Sequence, residues 1–139
     1  MPLRPTHALA FAVALVALGI AAQPASARNA YRLQAIQQYK LTGMNCQYCH
    51  VAATGGSNWN KFGTALDAQY TGAAKRDIKQ ALYLVLKANK DSDGDGYPDV
   101  LEVVAKTLPG DAKSKPTKSV AALQADLQKL GGVDAFKAK

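Results

Sequence analysis

Apolar positions recur along this chain at helical spacing and nowhere alternate with period two for long, which predicts an all-α protein. From Asn29 to Leu41, the residues Tyr31, Leu33, Ala35, Ile36 and Tyr39 fall loosely on one side of a helix that Thr42-Gly43 ends. Ala53 to Asn58 is a turn-rich loop, after which Trp59, Phe62, Leu66 and Tyr70 return at helical spacing despite Gly63. The clearest helix runs from Ala73 to Asn89. Its apolar stripe is Ile78, Ala81, Leu82, Val85 and Leu86, with Lys75, Arg76, Lys79 and Lys87 mostly off it. A short helix from Asp99 to about Leu108 places Val100, Val103, Val104 and Leu108 on one face before Pro109-Gly110-Asp111 breaks it. Ala112 to Lys118 reads as a lysine-rich polar linker. Ser119 then reads as the N-cap of a last helix carrying Val120, Leu123, Leu127 and Leu130, stopped by Gly131-Gly132. No internal repeat is visible.

The first residues do not belong to this pattern. Arg4 precedes an uncharged apolar run from Ala8 to Ala22, and Gln23-Pro24-Ala25-Ser26-Ala27 ends in small residues of the A-x-A kind. Residues 1–27 are therefore expected to be a signal peptide cleaved after Ala27, which places the protein in the periplasm or outside the cell. The apolar run is short of the roughly 20 residues a membrane-crossing helix needs, and no later stretch could span a bilayer. Residues 28–139 then form a single helical domain. Within it, 28–72 carries the cysteine motif, 73–108 is a helix-loop-helix, 109–118 is the linker and 119–132 is the last helix.

Removing 27 of 139 residues leaves 112, with 16 Lys and Arg against 10 Asp and Glu, a formal charge of +6. Such a surface keeps a protein soluble, and it also suits docking on an acidic partner. The chain has no Arg-rich stripe with interleaved aromatics, so nucleic acid is not an expected partner.

Both cysteines lie in one segment, Cys46-Gln47-Tyr48-Cys49-His50. A disulfide between residues three apart would close too short a loop to stabilise the chain much. A redox dithiol would need βαβ surroundings, and the pattern offers none. Zinc would need a fourth ligand, yet His50 is the only histidine after the leader. Covalent haem attachment, in contrast, uses two thiols that add to the two vinyl groups of the porphyrin and a neighbouring histidine that reaches the iron. Cys46, Cys49 and His50 supply that set.

From about residue 29 to residue 70 the chain resembles the small monohaem c-type cytochromes. A helix leads into CxxCH, a glycine-bearing loop follows with Gly55, Gly56, Asn60 and Gly63, and helices come after it. The resemblance implies a small helical domain that carries one haem c and exchanges single electrons with redox partner proteins. Two departures stand out. No proline follows soon after His50, and no methionine occurs after the motif, so the usual distal ligand is missing. Met44 is the one candidate of the usual kind; a lysine, a tyrosine, the new N-terminal amine, a second molecule or no ligand are the alternatives. The choice matters because the sixth ligand helps set the potential and controls access to the iron. Tyr48, Trp59 and Phe62 either wall the haem or pack in the core.

A second motif runs from Asp91 to Glu102 and meets the twelve-residue EF-hand pattern. The expected calcium ligands are the carboxylates of Asp91, Asp93 and Asp95, the Tyr97 carbonyl, Asp99 and a bidentate Glu102, with Gly96 permitting the sharp turn. The segment is also similar to the single calcium repeats of secreted bacterial proteins that look like thrombospondin type 3 repeats. Pro98 has no N–H to offer a partner loop, and no second acidic loop exists, so an unpaired site that clamps two helices is expected.

Three functions follow from these motifs. The first is one-electron transfer by an exported monohaem cytochrome whose scaffold is stabilised by calcium. The second is a five-coordinate haem enzyme or sensor of peroxide or a diatomic gas. The third is a calcium-dependent interaction module in which the haem is structural. No catalytic constellation of hydrolase type is present, since both thiols and the histidine are committed elsewhere.

Overall fold

The computed structural model describes residues 25–139, with side chains from Asn29 onward. The apolar run of the expected leader lies outside the described residues. Five α-helices are present and, among the described residues, no strand: α1 (Ala25–Gln38), α2 (Lys61–Thr71), α3 (Ile78–Lys87), α4 (Asp99–Ala105) and α5 (Val120–Lys129). Two short 3-10 turns accompany them, Cys46–Tyr48 and Val133–Phe136. No described helix is long and apolar enough to cross a membrane.

The central element is α3, because its stripe is the most completely apolar. It buries Ala81, Leu82, Tyr83, Val85 and Leu86, and packs against α1, α2, α4 and the 133–136 turn. It starts at Ile78 rather than Ala73. Asp77 caps it, its side chain accepting from the N–H groups of Lys79 and Gln80 at 2.8 and 3.3 Å, an arrangement that satisfies otherwise orphaned donors. The expected first turn is instead the turn that follows α2. Lys75 and Arg76 adopt positive φ, and the N–H of Arg76 bonds to the Tyr70 carbonyl at 2.7 Å. A helix through 73–77 would forfeit both the cap and that closure. Likewise α4 stops at Ala105, short of Leu108, because Lys106 turns left-handed at φ 63°.

Ser119 caps α5 as its sequence position implies, accepting from Ala122 N–H at 3.3 Å. The segment after Gly132 was not legible as structure, yet Phe136 is buried against Tyr39 in a T-shaped contact at 6.0 Å. From there an aromatic series continues through Tyr39 and Tyr48 to Phe62, with centroids 6.3 and 5.9 Å apart. Gln38 ties the same region together, its amide donating to the carbonyls of Lys79 and Phe136 at 2.8 and 2.9 Å. Tyr48 and Phe62 are therefore core residues. The 109–118 stretch is no free linker either: Pro109 and Pro116 are buried, and Ser114 Oγ accepts from Leu108 N–H at 3.0 Å.

Candidate functional site

The acidic loop connects α3 to α4 and is closed by the Asp99 N–H bonding to the Lys90 carbonyl at 2.7 Å. Asp91, Asp93 and Asp95 each present a carboxylate oxygen, and these lie within 4.8 Å of one another. Glycine makes the convergence possible. Gly94 and Gly96 sit at φ 81° and 98°, a region that side chains disfavour, and their N–H groups reach back to the two Asp91 oxygens at 2.7 and 2.8 Å. Asp95 Oδ1 accepts from the N–H of the half-buried Tyr97 at 2.9 Å, fixing the residue whose carbonyl the EF-hand pattern uses.

Asp99 occupies a different place from the three clustered aspartates. It is fully buried, and both of its oxygens are taken by Ser92, from the backbone N–H at 2.8 Å and the hydroxyl at 2.7 Å. Its side chain braces the first turn of the loop. Glu102 is also fully buried, with Oε1 at 3.4 Å from Thr107 Oγ1.

The charge balance of this loop is unusual. Asp93 Oδ2, Asp95 Oδ2 and Glu102 Oε2 are buried and make no hydrogen bond among the described residues. Burial first, and then the charges of Asp93, Asp95 and Asp99, push the Glu102 carboxyl up to about 9. Burial, opposed by the Ser92 hydrogen bonds, raises Asp99 to about 6. Burial also raises Asp93. None of the ion pairs among the described residues involves a loop carboxylate. Buried carboxylate oxygens without donors are costly, and a hard cation with oxygen ligands relieves that cost. The donor set therefore fits a divalent cation such as calcium.

The cysteines sit on the 3-10 turn that follows α1. Asn45 caps the turn, accepting from Gln47 N–H at 3.0 Å, and His50 N–H closes it on the Cys46 carbonyl at 2.8 Å. Both thiols are free and partly accessible. Burial, with a smaller contribution from Cys46, pushes the Cys49 thiol up to about 12. The His50 ring stacks on Trp59 with centroids 4.2 Å apart, and the two backbones form an isolated antiparallel bridge. Trp59 is 46% exposed and Val51 65% exposed, so apolar surface flanks the imidazole on the outside. Above the turn, Gly55 leaves a gap that a Cβ would fill, since that atom would stand 3.5 Å from Cys46 Sγ and 3.9 Å from His50 Cδ2. Two free thiols and an imidazole on one turn, beneath a glycine and beside exposed apolar surface, fit the donor set of a covalent haem.

Met44 is half-buried. It lines a cavity of about 330 Å³ with Leu41, Tyr48, Lys106 and Leu108, and neither thiol nor His50 lines that cavity. Its carbonyl accepts from Arg32 Nη1 at 2.9 Å, tying the segment to α1.

Several residues that build the site carry no chemical motif of their own. Asn60 caps α2 through Gly63 N–H at 2.7 Å and donates to the carbonyls of Gln47 and Tyr48 at 2.7 and 3.2 Å. Its signal is its place as a strong N-capping residue before Lys61. Ser92, inside the acidic loop, holds Asp99, and two lysines, Lys61 and Lys115, attach to the loop from outside; no local spacing announces them. Family models, curated proteins and solved structures offer no match to this chain.

Proposed function

We propose that this is an exported protein of the c-type cytochrome kind, holding one haem c on Cys46, Cys49 and His50 and one calcium ion in the Asp91–Glu102 loop, and that it transfers single electrons. The observation that carries the reading is the pairing, on one closed turn, of two free thiols with an imidazole. The CxxCH spacing belongs to haem attachment and has no second use here.

Haem would supply the one-electron couple. The chain's own contribution is to fix the attachment turn: Asn45 and Asn60 hold its backbone, Trp59 sets the plane of the His50 ring, and Tyr48 and Phe62 support it from the core. In the loop between α3 and α4, calcium would be held by Asp91, Asp93, Asp95 and Glu102, with Asp99 bracing the loop through Ser92. A +6 mature chain suits an acidic redox partner.

A second reading is favoured by the position of Met44, which faces a cavity separate from the thiols and imidazole. A haem left with no sixth ligand from the protein would bind peroxide or a diatomic gas.

The test is a visible spectrum of the protein matured in a host that attaches c-type haem, oxidised and reduced, with and without carbon monoxide. Electron transfer predicts a low-spin reduced spectrum unmoved by carbon monoxide. A high-spin spectrum that shifts with carbon monoxide selects the second reading, and failure of both Cys46 and Cys49 to bond haem sinks the cytochrome proposal.

A further inference from the structure

Two lysines from distant parts of the chain converge on the acidic loop. Lys61, the first residue of α2, donates from Nζ to the Asp93 carbonyl at 3.3 Å. Lys115, in the stretch after α4, donates from Nζ to the Asp95 carbonyl at 2.8 Å. Both side chains reach the backbone of residues whose carboxylates join the cluster. Neither is paired directly with a carboxylate, since no loop carboxylate is in an ion pair among the described residues.

We infer that Lys61 and Lys115 are built-in counter-cations that set the affinity of the loop for calcium. Each offsets part of the carboxylate repulsion while the loop is empty, because its ammonium is held on the backbone of a residue of the cluster. They keep the donor oxygens in place for an ion without occupying them. The same two charges repel an arriving divalent cation, so they weaken binding toward the range that suits calcium outside the cell. Contact through carbonyls is what permits both effects, since lysines paired directly with Asp93 or Asp95 would block the ligands. The inference rests on the calcium reading above and adds to it the residues that tune the site.

The experiment measures calcium affinity by isothermal titration on the full secreted protein after chelation, for wild type, Lys61→Met, Lys115→Met and the charge-conserving Lys→Arg variants. Each Lys→Met variant is expected to bind calcium about three- to tenfold tighter at low salt, an advantage that shrinks at 1 M salt as charges are screened. The Arg variants should bind like wild type. In chelator, the Met variants should melt at lower temperature than wild type. Equal or weaker calcium binding by both Met variants overturns the inference while leaving the calcium site standing. Absence of calcium binding by folded wild-type protein overturns the calcium reading itself.

Discussion

Gly63 lies directly against the carbonyl group of Cys49, so that a Cβ at Gly63 would overlap the carbonyl oxygen and stand 2.9 Å from Trp59 Cε3. This contact lets the first turn of α2 press on the cysteine turn, and Gly63 N–H meanwhile bonds to Asn60. Backbone cannot yield as a flexible side chain does. Gly63→Ala should therefore destabilise the protein by about 3 kcal/mol, at the upper end of overpacking costs. Thermal unfolding checks this, and a melting temperature equal to wild type would contradict it. Haem incorporation should fall in parallel, since the displaced carbonyl belongs to an attachment residue.

The sequence carried the helices wherever apolar periodicity was strong, as at Leu82, Val85 and Leu86, and carried the loop through the spacing of Asp91, Asp93 and Asp95. It misplaced the start of α3 because Lys75 and Arg76 are ordinary helix formers whose positive φ is imposed by the close of α2. Phe136 escaped notice because one aromatic in a short tail has no period to reveal it. Asp99 carries the ligand spacing, yet its side chain turns to Ser92, a pairing set by how the loop folds back on itself. Lys61 and Lys115 reach the loop from 32 and 20 residues away. Contacts of that kind depend on tertiary packing and leave no local pattern.

Met44→Ala should leave the spectrum of the haem-loaded protein unchanged. Met44 is half-buried and lines the cavity with Leu41 and Leu108, so truncation enlarges that cavity and costs about 1–2 kcal/mol of stability, less than at a fully buried core position. His50→Ala should abolish the native spectrum. Loss of a sulfur-ligand signature in Met44→Ala would show that the 42–45 segment moves to place Met44 on the iron.

Ser92→Ala removes the hydroxyl that donates to Asp99 Oδ2 at 2.7 Å. Groups that orient a metal loop without touching the ion typically contribute tenfold or more to affinity. The variant should bind calcium about tenfold more weakly, by titration, and lose about 1.5–3 kcal/mol of stability in chelator, the value of one hydrogen bond to a charged group. Asp99→Asn should have a similar effect on affinity. If Asp99 ligated the ion through an oxygen now held by Ser92, Asp99→Asn would be far the more damaging of the two.

Glu102 goes from an ordinary 4.5 to about 9 in the folded chain, and Asp99 from 3.8 to about 6, burial being the first cause in both. The folded protein without calcium therefore holds more protons than the unfolded chain between about pH 4 and pH 9. Stability in chelator must then fall as pH rises through that window, with Asp99 contributing below about pH 6 and Glu102 across the whole range. Calcium requires the ionised carboxylates, so its binding releases protons and tightens with rising pH, and saturating calcium should flatten the decline. Glu102→Gln separates the two effects. It should raise the melting temperature in chelator at about pH 8 by removing a carboxyl that must take up a proton to be buried there, while weakening calcium binding at least about tenfold by removing a ligand. A melting temperature in chelator that stays level from about pH 5 to pH 9 would mean that Glu102 is not held in its buried, unpaired position.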